Sequence, residues 1–308
     1  MPEPAITIDF HINSQHLQAD GHYVYLQPLG SEFIAETFTA DPGGNLYKGR
    51  RKNESPQGGR GSGLVYYPNN PAAYYSYIKL SNSSSPDWSD VIALTKALSE
   101  LTDDTNFYDL ETPPAIHNNL NVDQWLRFFA LNALLANTEG GLVEGDREGD
   151  DYAMYSGIKD PRFIMMPHDL DTIFSRSTWN LFRATNVPAL ARLINHPQIR
   201  PRYLALVKDW CENFFEVGQF RPFLENQLLP HVPQNNINSM VNFMQTRNSY
   251  VLGKNDWFPA DYIPPPLKTI VNGEPPATTS RRRATLQVSG KNVTHYRYRI
   301  NSNGQYST

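Results

Sequence analysis

The stretch from Asn121 to Asn137 carries apolar residues on several faces at once, and it constrains the fold more than any other part of the chain. Val122, Trp125, Leu126, Phe129, Ala133 and Ala136 recur at helical spacing, and Asn121 with Gln124 three residues on resembles a capping box. Phe128, Leu131, Leu134 and Leu135 add apolar surface on other faces. A helix apolar nearly all round belongs inside a core rather than on its surface. The spacing therefore predicts a central, buried helix whose C-terminal end delivers Asn137 and Glu139 into a strongly acidic loop. A chain of 308 residues is long enough to wrap one.

The segments on either side differ in period. Residues 6–12, 22–27, 63–67 and 74–80 are rich in Val, Ile and Tyr and read as short strands. Residues 49–63 hold Arg50, Arg51, Lys52, Arg60 and several glycines without apolar periodicity. That composition predicts a solvated, mobile loop, with a basic phosphate-facing loop as the alternative. From Asp87 the period turns helical through Val91, Ile92, Leu94, Leu98 and Leu101, after a Ser85-Pro86 start signal. Residues 151–155 and 163–166 read as a hairpin, and 187–195, 198–217, 219–228 and 235–252 as helices. The expected class is α+β, strand-rich at first and mainly helical later. Residues 257–280 are rich in proline and read as a linker, and 281–308, with Val288, Tyr296, Tyr298 and Ile300 alternating, as the start of a truncated β-domain. Both ends read as cuts.

Bulk properties exclude some function classes. A net charge of −4 and a pI near 6.1 give no basic surface of the kind nucleic acid demands. Cys211 is the single cysteine, so an internal disulfide is excluded and a buried structural thiol expected. There is no run of 18 apolar residues, and the opening Met1-Pro2-Glu3-Pro4 lacks the basic-then-apolar order of a secretion signal. Walker A, Rossmann, zinc-type and G-x-S-x-G patterns are all missing.

The acids carry the chemistry. Asp169 and Asp171 follow the apolar run Phe163 to Met166, where an acid at a strand exit can be aimed with little left to order. The hairpin reading brings Asp151 to the same end as Asp169. Glu139, Glu144, Asp146, Glu148 and Asp150 form a dense patch just upstream. Magnesium takes one or two carboxylates plus substrate phosphates, and these clusters could supply them. The plainer alternative is that Asp169 and Asp171 cap a turn, with Asp171 the better candidate for that role. An EF-hand reading of the Asp146 loop meets Asp151 where glycine is required and Gly157 where glutamate is. His168 is either a base beside Asp169 or a hydrogen-bonded structural residue.

The order Trp125 to Asn137, an acidic loop, Asp151-Tyr152-Ala153-Met154-Tyr155, then Met166-Pro167-His168-Asp169-Leu170-Asp171 resembles the spore-coat CotH kinase family. Gly21 to Leu26, Phe33-Ile34, Gly44 to Lys48, and Arg247 in a late helix extend the likeness over residues 18–255. The resemblance implies an atypical protein-kinase fold over residues 1–256 that binds ATP and magnesium and phosphorylates Ser or Thr on a protein partner. It implies metal ligands at Asp169 and Asp151, a catalytic acid at Glu139 or Asp146, and a phosphate contact at Lys48. It also suggests an extracellular or cell-surface location. Three departures stand out: Gln27 lies where the family carries Glu, the acidic loop is long, and the N-terminal strands expected to hold the nucleotide-gripping lysine are missing. They leave open an inactive fragment or pseudokinase. The competing expectation is a noncatalytic surface or coat protein whose acidic loop binds calcium.

Overall fold

The computed structural model describes residues 23–259 apart from 56–57, 108 and 110–111, together with residues 5–8, 11–12, 15–16, 270–272 and 287–289. The chain divides into two units, residues 1–261 and 262–308. In the first unit the short strands β1 (Ala5–Ile8) and β4 (Tyr23–Leu26) pair antiparallel, as do β2 (His11–Ile12) and β3 (Gln15–His16). In the second, β9 (Ile270–Asn272) pairs antiparallel with β10 (Gln287–Ser289). The expected alternation beyond Ser289 and most of the proline-rich segment lie outside the described residues.

The element that organises the first unit is a four-stranded antiparallel sheet in the order β6 (Tyr77–Lys79), β5 (Asn45–Gly49), β7 (Tyr152–Ser156), β8 (Ile164–Pro167). The hairpin expected from the sequence is β7–β8, with Tyr152 opposite Pro167 and Tyr155 opposite Ile164. Every residue of β7 is buried, as its near-continuous apolar run requires. Helix α1 (Ser31–Thr37) covers one face, where Phe33 and Ile34 pack on Leu46, Ala153, Tyr155 and Met166. Residues directly opposite in an antiparallel pair share a face, so Lys48, opposite Ala153, stands on this face too.

Helix α4 (Val122–Leu134) is the central helix, with Trp125, Leu126, Phe128, Phe129, Ala130, Ala133 and Leu134 buried. Each large apolar side chain there contributes roughly 1.5–3 kcal/mol by leaving water. The capping box forms only by half. The Asn121 side chain accepts from the Gln124 backbone N–H at 3.2 Å, but the Gln124 side chain turns to β8, giving Nε2–H to Met165 O at 2.6 Å and accepting Met165 N–H at 2.8 Å. Trp125 Nε1–H adds a bond to Phe163 O at 3.0 Å. These bonds fix the start of α4 to the strand that leads into Asp169.

Around this centre lie α2 (Ser89–Ser99), α3 (Ile116–Asn119), α5 (Gly141–Glu144), α6 (Pro188–Ile194), α7 (Arg200–Asp209), α8 (Val217–Leu228) and α9 (Gln234–Leu252), with a single π-turn at Trp210–Phe214 prolonging α7. The class is α+β, as expected. One strand expectation fails and another is shortened. Residues 63–67 are irregular, because Leu64 sits at φ 59° after a glycine-rich approach, and residues 71–76 form a 3-10 turn that leaves only Tyr77–Lys79 as strand.

Candidate active site

Two chain segments meet at the C-terminal end of α4. Ala136, at φ 51°, turns the chain out of the helix, and Asn137 follows fully enclosed. The helix leaves carbonyls that no helical N–H can reach, and residues 172–179 approach them. Phe174 N–H donates to Leu135 O at 2.7 Å and Ser175 Oγ–H to Ala136 O at 2.9 Å. From α9, the enclosed Arg247 donates to Ala133 O at 2.7 Å, Trp179 O at 2.5 Å and Ser177 O at 2.9 Å. Burial pushes the Arg247 guanidinium down to about 10.

These ties bring the sequence-predicted acids together. Glu139 shares a hydrogen bond with Asp171, and that bond, then the Asp171 charge, then partial desolvation, then Asp169 and Asp151, raise its carboxyl above the ordinary glutamate range. The Glu139 carboxyl therefore lies in the field of three acids drawn from two chain segments. Asp171 stands in a turn, as expected, and is also the partner of Glu139. Asp151 and Asp169 both adopt left-handed backbone, φ 47° and 56°, where the β7 and β8 ends leave their ladder. For non-glycine residues that conformation costs about 1–3 kcal/mol and is held by its surroundings. Lys48 reaches the same end of the sheet, its Nζ 2.5 Å from His168 Nε2. An ammonium has only donors, so His168 accepts there through Nε2.

Asp146 takes part differently. Its Oδ2 accepts from Arg51 Nε–H at 2.8 Å and its Oδ1 from Glu148 N–H at 2.9 Å. A second Arg51 nitrogen pairs with Asp150 Oδ2 at 2.8 Å. Asp150 is 3 % exposed and its Oδ1 is buried without a partner. Desolvation first, then Asp151, push the Asp150 carboxyl up to about 7 against the pull of Arg51. An open cleft of about 310 Å³ lies here, lined by Arg51, Thr138, Glu139, Gly141, Glu144, Asp146 and Thr172. Beside it a narrower crevice runs between Phe128, Asn137, Leu142, Tyr152 and His168.

The loop 49–63, expected to be solvated and mobile, is instead docked in its described part. Ser62 N–H donates to Glu148 O, Ser62 Oγ–H to Gly149 O at 2.7 Å, and Tyr152 Oη–H to Ser62 O at 2.5 Å. A side chain on Gly63 would fall on the Arg147 carbonyl, so glycine is needed for this approach. Its amides are already spent on protein acceptors: Gly59 N–H on Ser55 Oγ, Gly61 N–H on Ser76 Oγ, Leu64 N–H on Tyr77 Oη. This argues against a phosphate-cradling loop. It instead delivers Arg51 to the acids, a role that composition could not show because it depends on contacts some 87 residues apart. Short helix α5, also missed, closes the cleft from the other side, where Arg183 pairs with Glu144.

Among the described residues, no three His, Cys, Asp or Glu side chains gather closely enough to hold a metal ion unaided. No described helix is long and apolar enough to cross a membrane. Compared with known families, the chain matches a model described as CotH kinase protein over residues 8–228. No curated protein matches it.

Proposed function

This chain belongs to the CotH kinase family, and from that premise we propose that residues 1–256 act as an atypical protein-kinase-like domain transferring the γ-phosphoryl group of ATP to a Ser or Thr hydroxyl of a protein partner. The observation that carries the reading is that Asp171, Asp169 and Asp151 lie near enough to Glu139 to raise its carboxyl, beside an open cleft. Phosphoryl transfer needs little covalent chemistry from the protein and depends on positioning and charge neutralisation. The donor set suits magnesium, since all these groups are oxygen donors. Magnesium takes one or two protein carboxylates and completes its shell with phosphates and water, which asks no more of the protein than Asp169 and Asp151.

In this reading Asp169 and Asp151 hold the magnesium ion, which when bound offsets phosphate charge. Lys48, pointed at the same end of the sheet, makes the phosphate contact. Glu139 orients the acceptor hydroxyl and takes its proton as the oxygen bonds to phosphorus and ADP leaves. Its raised affinity for a proton suits that task. Asp146 remains the second candidate for the acid, but Arg51 and the Glu148 amide already engage it. The same Arg51 pairing engages Asp146 and Asp150, two of the acids that a calcium reading requires. A linker from 257 that gives way to the β9–β10 pair, a β-domain and a surface location complete the proposal.

Calorimetric titration with magnesium-ATP, set against calcium alone, tests it. The expected result is magnesium-dependent nucleotide binding and autophosphorylation that Asp169→Asn abolishes. Stabilisation by calcium with no nucleotide binding would instead establish the noncatalytic surface or coat protein.

A further inference from the structure

The acids at the site belong to two separate segments, and one buried amide touches both. Asn137 is 1 % exposed, and its Oδ1 accepts from Glu139 N–H at 3.2 Å, Gly140 N–H at 3.2 Å and Thr172 Oγ1–H at 3.1 Å. Three donors facing one oxygen also settle which end of the amide is which. Its Nδ2–H donates to Asn132 Oδ1 at 3.0 Å, and Asn132, also buried, donates to Phe128 O at 2.9 Å. The amide is thus anchored inside α4 and cannot turn. Gly140 is required beside it, since a Cβ there would come within 2.9 Å of Asn137 Nδ2. Glu139 rides on one set of these donors. Asp171 precedes the other, Thr172, which itself lines the cleft.

We propose that Asn137 and Thr172 are positioning residues: the hydroxyl of Thr172, seated on the buried amide of Asn137, sets the spacing between the Glu139 turn and the Asp169–Asp171 segment. Their place in catalysis rests on the kinase reading, whereas the spacing they impose does not. The bland alternative is a loop cap that serves folding alone. A cap would leave the pairing of Glu139 with Asp171 unchanged once the hydroxyl is removed, because Glu139 N–H and Gly140 N–H still hold Asn137.

The test uses Thr172→Val, which keeps the shape and deletes the donor, and Thr172→Ser, which restores it. Asn137 itself is too deeply buried to substitute without endangering the fold. The nuclear Overhauser contact between the Glu139 and Asp171 side chains in the full, metal-free chain is the first readout. It is expected in the wild type and in Thr172→Ser, and to be lost in Thr172→Val, with melting temperatures little changed. Magnesium-ATP affinity is the second, expected to weaken about fivefold in Thr172→Val and to recover in Thr172→Ser, the size of one hydrogen bond. An unaltered contact between Glu139 and Asp171 in Thr172→Val overturns the proposal. A wild type that binds no magnesium-ATP overturns the kinase reading alone, because the contact between Glu139 and Asp171 still decides the spacing.

Discussion

Arg247→Met isolates the tie that holds three segments together at the site. In the wild type, Arg247 has no exposed surface and its side chain bonds to three carbonyl oxygens, with Nε left unpartnered. The substitution removes three charged hydrogen bonds, at about 1.5 kcal/mol each, although Ala133 O keeps the Ala136 N–H at 3.2 Å and only the half-buried Ser177 and Trp179 carbonyls are left short of a donor. Against this, burial lowers the guanidinium from 12.5 to about 10, so removing the charge returns roughly 3 kcal/mol. The net loss is about 1.5 kcal/mol, or roughly 3–6 °C in melting temperature for a unit of this size. Thermal unfolding measures the total, and hydrogen exchange should show the loosening concentrated in residues 172–180. Arg247→Lys should lose nearly as much, because a lysine cannot span three carbonyls set around a planar fork. If Arg247→Met melts with the wild type, or above it, the carbonyls are satisfied by other means and the argument for this anchor fails.

Other outcomes follow from the same geometry. Gly63→Ala should lower the melting temperature by several degrees and detach the loop that carries Arg51, seen as protease cleavage between residues 50 and 63, because its Cβ falls on the Arg147 carbonyl. Arg51→Gln should change stability by less than about 1 kcal/mol, since the side chain is 43 % exposed. It should nevertheless alter magnesium-ATP affinity if Asp146 and Asp150 face the bound nucleotide. Asp150 binds its proton more tightly folded than unfolded, so its contribution to stability is present below about pH 4 and is lost as pH rises toward about 7. In chelator, Asp150→Asn should therefore remove that downward slope and exceed the wild type at pH 8 by on the order of 2 kcal/mol, read from urea midpoints; an identical pH profile for the two proteins excludes a buried, titrating Asp150.

Periodicity made the scaffold legible. Helix α4 and the β7–β8 hairpin stood out because each buries apolar side chains in a regular rhythm, and a residue counted along that rhythm can be assigned a face. That is why the sequence alone brings Asp151 and Asp169 to one end of a hairpin. Elements with no such rhythm were lost. Helix α5 has four residues, too few to show a period, and residues 63–67 carry strand-forming side chains but depend on a left-handed Leu64 that composition does not announce. Glycine there was ambiguous: it permits a mobile loop and equally a close backbone approach, and only the partner segment, here residues 147–149, decides.

The partners of the acids were hidden for a different reason. Whether a carboxylate is a ligand, a base or a turn cap depends on what lies opposite, and opposite here means chain segments about 30 to 100 residues away. Asp146 and Asp150 differ from Glu139 through one side chain, Arg51, which reaches the first two from a loop read as solvated. Asp171 looked like a turn residue because a turn is where it sits; its pairing with Glu139 arises from the Asn137 amide pulling Thr172 against the end of α4. The site is thus a product of how α4 ends. A helix that continued one more turn would carry Glu139 away from Asp171, and the left-handed Ala136 that prevents this, at a cost of roughly 1–2 kcal/mol, is repaid by the donors that Arg247, Phe174 and Ser175 bring to the exposed carbonyls.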